Sequence, residues 1–201
     1  MLIDHERKDL RMKEYDYSQS GFYFVTICIQ GMEEYFGKIQ NDMMCLNEYG
    51  TIVEKYWNNL PKHYRNCMLD EHIIMPNHFH GIIQIIDDDD HGRDMFETCP
   101  DMGIQEYGNQ YRHQYHSEDK FQTCPYTIKQ HSLSEIIRGF KTFSSRRIND
   151  TNPFHHFQWQ RSFHDEIIRD EIHLNNVRQY IWNNPMRWCR DRNNPNASGQ
   201  N

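Results

Sequence analysis

From Phe22 the polar start of the chain gives way to FYFVTICI, a run of aromatic and β-branched residues that predicts a central strand. Tyr35 to Gln40 reads as a short partner strand, joined to the first through a turn at Gly31. The period then changes. Tyr49, Ile52, Val53, Tyr56 and Trp57 recur at helical spacing, so Leu46 to Trp57 predicts a helix with one face on a sheet, closed by Pro61. Cys67 to Ile74 and His80 to Ile86 read as two strands flanking a break at Pro76, which cannot donate to a ladder and suits the start of a strand or a bulge. A β, α, β, β order of this kind is typical of α+β sandwiches.

No period survives from Asp87 to His131, which holds a run of four aspartates, three glycines and scattered Tyr, Gln and His. So long a structureless segment predicts a solvent-exposed, largely disordered insert; an acidic metal loop or a docking tail is the functional alternative. Order resumes at Ser132, where Ser132 and Glu135 form a capping box and Leu133, Ile136, Ile137 and Phe140 make a buried stripe. Arg138, Lys141 and Ser145 fall on another face of that helix, and Arg146 and Arg147 lie near its end. This is either a solvated face or a row of phosphate contacts. FHHFQWQRSF, Phe154 to Phe163, can stack on unpaired bases or fill a core corner. Asp170 caps a last helix with Leu174, Val177 and Ile181 inside, Tyr180 and Asn184 one turn apart on an adjoining face, and Pro185 at its end. The layout is a basic lead-in over 1–20, one domain over 21–188 interrupted by the 87–131 insert, and a flexible tail over 189–201.

Charge alters this picture in one respect. The formal net charge of −7 argues against a nucleic-acid partner, but the insert alone carries −6, which leaves the rest near −1 with its bases clustered. Arg7, Lys8, Arg11 and Lys13 in the lead-in form either a solvated terminus or a nucleic-acid arm. An apolar content of 37% also fits a chain of which part is unpacked. Six cysteines without a C-x-x-C predict reduced thiols, and no run approaches a signal or membrane-span length. The expectation is a soluble cytoplasmic protein with no membrane partner.

The candidate chemistry centres on MPNHFHGII, Met75 to Ile83, the only place where two histidines are separated by one residue. On a strand His78 and His80 leave the same face about 7 Å apart, with Phe79 turned the other way. Two such imidazoles can share a cation, or they can be two solvated or core histidines; 13 histidines in 201 residues give about one such pair by chance. His164 and Asp165 form a proton relay, or equally serve at the surface or in DNA contact.

Five blocks carry a resemblance: YDYSQSGFYFVTIC (Tyr15 to Cys28), MPNHFHGII, SLSEIIRGFKT (Ser132 to Thr142), FQWQRSFHDEIIRDE (Phe157 to Glu171) and YIWNNPMRW (Tyr180 to Trp188). In this order they resemble the REP-associated tyrosine transposases, bacterial members of the single-tyrosine HUH group. The resemblance implies a ferredoxin-like antiparallel sheet with helices packed on it. It also implies His78, His80 and Asn184 as ligands of Mg²⁺ or Mn²⁺, and Tyr180 as the nucleophile. The activity implied is cutting and rejoining single-stranded DNA near hairpins or palindromic repeats through a 5′-phosphotyrosine, by a monomer or homodimer associated with the nucleoid while it acts. Arg138, Lys141, Arg146 and Arg147 would then contact DNA. The length and acidity of the 87–131 insert depart from the family pattern. Two rivals are a domesticated hairpin-binding protein without cleavage and a metal-dependent phosphoesterase that uses water.

Overall fold

In the computed structural model the described residues are 16–87, 130–151, 156–191 and 193–197. The basic lead-in over 1–15, the insert over 88–129 and the last four residues of the tail lie outside them.

Strand β1 (Gly21–Cys28) is the axis of a four-stranded sheet. It pairs antiparallel with β5 (His78–Ile85) on one side and β6 (His164–Ile168) on the other, and β4 (Cys67–Ile74) closes the far edge of β5. The order β4-β5-β1-β6, with α1 (Glu48–Asn58) leading to β4 and α3 (Leu133–Thr151) to β6, is a βαββαβ ferredoxin-like arrangement, as expected. A last helix, α4 (Glu171–Arg187), follows β6.

Period-2 alternation decides what each face holds. Tyr23, Val25 and Ile27 of β1 and Phe79, Ile83 and Ile85 of β5 enter the larger core with Val53 and Trp57 of α1 and Ile136, Ile137 and Phe140 of α3. Phe24 of β1, Ile82 of β5 and Ile168 of β6 turn the other way, against Leu174, Val177 and Ile181 of α4. The two expected helix stripes are therefore buried on opposite faces. The capping box is present, with Glu135 N donating to Ser132 Oγ (3.4 Å) and Ser132 N donating to Glu135 Oε2 (3.1 Å). Asp170 Oδ1 likewise accepts from His173 N (2.7 Å) at the start of α4.

Several expectations need correction. The segment before Gln40 does not pair with β1, because β5 and β6 already occupy both of its edges. Left-handed backbone at Gly31 and Met32 (φ 82° and 57°) turns the chain away instead, and β2 (Gly37–Gln40) pairs with β3 (Met43–Leu46) in a separate hairpin. Asn41 and Asp42, both at positive φ (51° and 59°), form its two-residue loop, where their short polar side chains tolerate the left-handed region. Asn47 then caps α1, so the helix starts two residues later than the pattern suggests. Pro61 sits in the first turn of a short helix, α2 (Leu60–His63), where its missing N–H costs nothing. Pro185 does not end α4, which continues to Arg187 with the proline ring buried. β6 was not anticipated at all. The aromatic stretch before it is core, since Phe157 and Trp159 are buried against Phe36. The piece after α4 is not wholly frayed: a 3-10 turn at Trp188–Arg190 follows, and Asn193 O accepts from Asn77 Nδ2.

Candidate active site

The α4 face of the sheet carries the candidate chemistry. Cys28 and Thr26 of β1 stand opposite His78 and His80 of β5, and His164 of β6 stands opposite Thr26 from the other side. Both site histidines are buried, at 0% and 2% exposure, so their environment is set by the protein and not by water.

Their ring nitrogens are oriented from behind. Asn77 Nδ2 donates to the carbonyls of Met32 (2.9 Å) and Asn193 (2.6 Å), which leaves Asn77 Oδ1 facing His78 Nδ1 at 2.8 Å. An amide oxygen only accepts, so His78 Nδ1 carries the proton and neutral His78 presents a lone pair at Nε2. His80 Nδ1 lies 2.8 Å from Thr26 Oγ1, a hydroxyl that can serve either tautomer. The two Nε2 atoms converge to 3.0 Å. At that separation two lone pairs repel, so a proton or a cation must lie between them. Trp188 packs on His78 (ring centroids 5.9 Å) and Phe24 stacks on His80 (5.4 Å, 24°), closing the pair from the sides.

Helix α4 brings Tyr180 and Asn184 over this pair. Tyr180 Oη lies 3.4 Å from His80 Nε2, and its ring meets Phe24 edge-on (5.9 Å, 88°) while remaining 39% exposed. Asn184 is 2% exposed, and its Oδ1 is buried without a hydrogen-bond partner among the described residues. A buried amide oxygen normally finds a donor. One without a donor, one helical turn from Tyr180 and lining the same cavity as His80, suits a cation. Two imidazoles and an amide oxygen form a donor set for a divalent metal with coordination positions left open, so these residues fit the group implied by the sequence. Among the described residues no group of three or more His, Cys, Asp and Glu converges to hold a metal, here or elsewhere; the third donor at this site is an amide.

The cavity, of about 640 Å³, is lined also by His164 and Glu166 of β6 and by Arg187, Arg190, Asp191 and Asn193 beyond Asn184. Apart from His164, sequence reading missed these. The signal for Glu166 was the alternation in HDEII, which puts His164 and Glu166 on one face and turns Asp165 to the other. Of the readings open for His164 and Asp165, the relay therefore does not form around the site.

The four basic candidates are elsewhere. Arg138 and Lys141 line a second cavity of about 1280 Å³, between α3 and the 156–163 segment. Lys141 Nζ donates to the carbonyls of Gln160 (2.5 Å) and Arg161 (3.0 Å), and burial depresses its pKa. Two of its three N–H donors thus hold that segment in place. Arg146 sits over the ring of exposed Phe143 (5.9 Å), and Arg147 is exposed beside it; neither lines either cavity.

Comparison with known proteins bears on this geometry. The IS200-like transposase family matches residues 116–184, a stretch that contains Tyr180 and ends on Asn184, with the histidine pair upstream of it. An uncharacterized protein of Haemophilus influenzae is 33% identical over 187 residues, covering 93% of this chain and 92% of that one. Among solved structures, a REP-associated tyrosine transposase bound to a REP hairpin aligns with TM-score 0.48 at 14% identity, over 88% of this chain and 73% of that one. A Deinococcus radiodurans protein aligns with TM-score 0.43 at 12% identity, over 86% of this chain and 95% of that one. Over residues 116–184 the chain is similar to the IS200-like transposases.

Proposed function

We propose that this protein cuts and rejoins single-stranded DNA near hairpin or palindromic repeats, with Tyr180 as nucleophile and a 5′-phosphotyrosine as the intermediate. The observation that carries the reading is the position of Tyr180 Oη, 3.4 Å from His80 Nε2 and one turn from the partnerless Asn184 carbonyl. In the step, the Tyr180 oxygen forms a bond to phosphorus as the bond from phosphorus to the 3′ oxygen breaks. The phenolic proton is lost and the 3′ oxygen gains one. One phosphodiester replaces another, so rejoining by the reverse attack requires no nucleotide hydrolysis.

His78, His80 and Asn184 would hold Mg²⁺ or Mn²⁺, which when bound neutralises charge on the non-bridging phosphate oxygens. Asn77 and Thr26 fix the imidazoles so that the two Nε2 atoms stay turned toward each other, His80 at the cavity wall and His78 behind it. Phe24 and Trp188 exclude water from the flanks of the pair. Arg138 and Arg161, exposed on the walls of the larger cavity, would meet DNA phosphates away from the cleavage point.

The test is a 5′- and 3′-labelled single strand carrying a hairpin, incubated with Mn²⁺ and resolved on a denaturing gel. The expected product is a protein-linked 3′ fragment and a free 5′ fragment ending in 3′-OH, absent with EDTA and absent in Tyr180→Phe. Cleavage with no protein-linked band would favour a phosphoesterase. Hairpin binding without cleavage would favour a binding protein.

A further inference from the structure

The apolar stripe that seats α4 on the sheet resists lifting but is non-directional, so it leaves the roll of the helix about its own axis loosely set. That roll decides where Tyr180 points. The hydroxyl stands about 8 Å from the helix axis, so a roll of about 15° would displace it by about 2 Å, and displacements of about 1 Å already cost reactivity.

Polar contacts on both flanks fix the roll, and those on the β4 flank depend on an irregularity in the strand. In the pairing of β4 with β5, Leu69 stands opposite Ile83 but His72 stands opposite Gly81, so β4 carries one residue more than its partner. A regular strand would send Asp70 and Glu71 to opposite faces. The bulge lets both reach α4. Arg178 Nε and Nη2 donate to Asp70 Oδ1 (2.9 Å) and Oδ2 (2.5 Å), and Trp182 Nε1 donates to Glu71 Oε2 (2.8 Å). Arg178 and Trp182 are four residues apart, hence one above the other on one flank of α4. Tyr180 and Asn184 lie on the other flank with His173, which reaches Glu166 of β6 at 3.2 Å. Helix α4 is thus held from β4 on one side and from β6 on the other, with Tyr180 between.

We propose that Asp70 and Glu71, presented by this bulge, are positioning residues that act through Arg178 and Trp182 to hold Tyr180 over His80. The role rests on the proposed nucleophile, and it is separable from it. Neither carboxylate lines the cavity, so neither touches the reacting atoms.

The experiment pairs two readouts on Asp70→Ala, Arg178→Ala, the double variant, Glu71→Ala and Glu71→Gln. One is the single-turnover rate of covalent adduct formation, with DNA affinity measured alongside. The other is the ¹⁹F resonance of 3-fluorotyrosine placed at position 180, which reports the ring's packing whether or not the protein cleaves DNA. The expected result is an adduct rate at least tenfold lower in Asp70→Ala, Arg178→Ala and Glu71→Ala, with DNA affinity within twofold of the parent and a shifted or broadened resonance. The double variant should be no worse than either single, and Glu71→Gln, whose amide oxygen still accepts from Trp182, should stay near the parent. A resonance that moves in the variants when even the parent forms no adduct would sustain the positioning role while removing the nucleophile. An unmoved resonance in folded Asp70→Ala and Arg178→Ala overturns the positioning role, as does an adduct rate that falls only with the folded fraction.

Discussion

Asn184→Ala is the substitution on which the reading of the site can be tested without any DNA. The amide is 2% exposed and its Oδ1 is buried with no donor among the described residues, a situation that costs a folded protein about 1–3 kcal/mol. Alanine removes that cost and is better in a helix by about 0.5 kcal/mol, while the small void it leaves costs about 1 kcal/mol. In chelator the variant should therefore be more stable than the parent by about 1 kcal/mol, the reverse of what truncating a buried side chain usually does. Metal should invert the order. At a Mn²⁺ concentration about 100 times the parent's dissociation constant, the parent gains about 2.7 kcal/mol. A variant binding about 100-fold more weakly gains only about 0.4 kcal/mol. The parent is then the more stable by about 1 kcal/mol, a swing readable in urea midpoints taken in EDTA and in MnCl₂. Destabilisation of Asn184→Ala in EDTA by 2 kcal/mol or more would mean that the oxygen has a protein partner. Equal stabilisation of both proteins by Mn²⁺ would remove Asn184 from the ligand set.

Other consequences can be read on the protein alone. A Cβ added to Gly81 would stand 2.5 Å from Trp57 Cζ2 and 2.8 Å from Phe79 Cε1, both in fully buried rings, so Gly81→Ala should cost about 1–3 kcal/mol in urea denaturation; an unchanged midpoint would mean the core under β5 has slack. Burial holds the His72 pKa below its ordinary value, so its share of stability is present above about pH 6.5 and is lost as pH falls; His72→Phe should flatten that part of the stability profile. The Arg178 hydrogen bonds hold the Asp70 carboxyl below the usual carboxylate range, so a further loss should begin only below about pH 4 and be missing in Asp70→Asn. Burial pushes the Cys67 thiol up to about 12, whereas Cys45 and Cys189 are exposed; iodoacetamide at pH 8 should label those two and spare Cys67, as read by peptide mass mapping.

What the sequence made legible was whatever a single segment encodes by itself. β5 is buried on both faces and β1 is buried on one and partly buried on the other, so both read as apolar runs; the capping box and Asp170 mark helix starts, and spacings of two and four place His78 with His80 and Tyr180 with Asn184. Illegible features are those defined by a partner. β6 has polar residues at three of its five positions because it is an edge strand beside the site cavity, and so it lacks the run that betrays a central strand. The bulge exists only relative to β5, since no property of Asp70 or Glu71 alone says that the register slips there. Lys141 looked like an open cation on a helix face until the 156–163 segment folded back and took its donors.

That distinction also explains why the site lies where it does. Each interior strand must satisfy two faces, and on β5 one face holds Phe79, Ile83 and Ile85 under α1 and α3 while the other places His78 and His80 among aromatic rings. A helix with an apolar stripe along its whole length, laid across that second face, would have filled the space beside the imidazoles. Instead α4 meets the sheet with its apolar stripe over Phe24, Ile82 and Ile168, and turns Asn184 and half-exposed Tyr180 toward the histidine end, where they line the cavity with Phe24, Thr26 and His80. Packing free energy thus comes from one end of the α4 interface, and the proposed chemistry lies at the other. Apolar substitution of Ile82 or Val177 should therefore change stability well before it changes the approach of Tyr180 to His80, whereas loss of Asp70 or Glu71 should do the opposite.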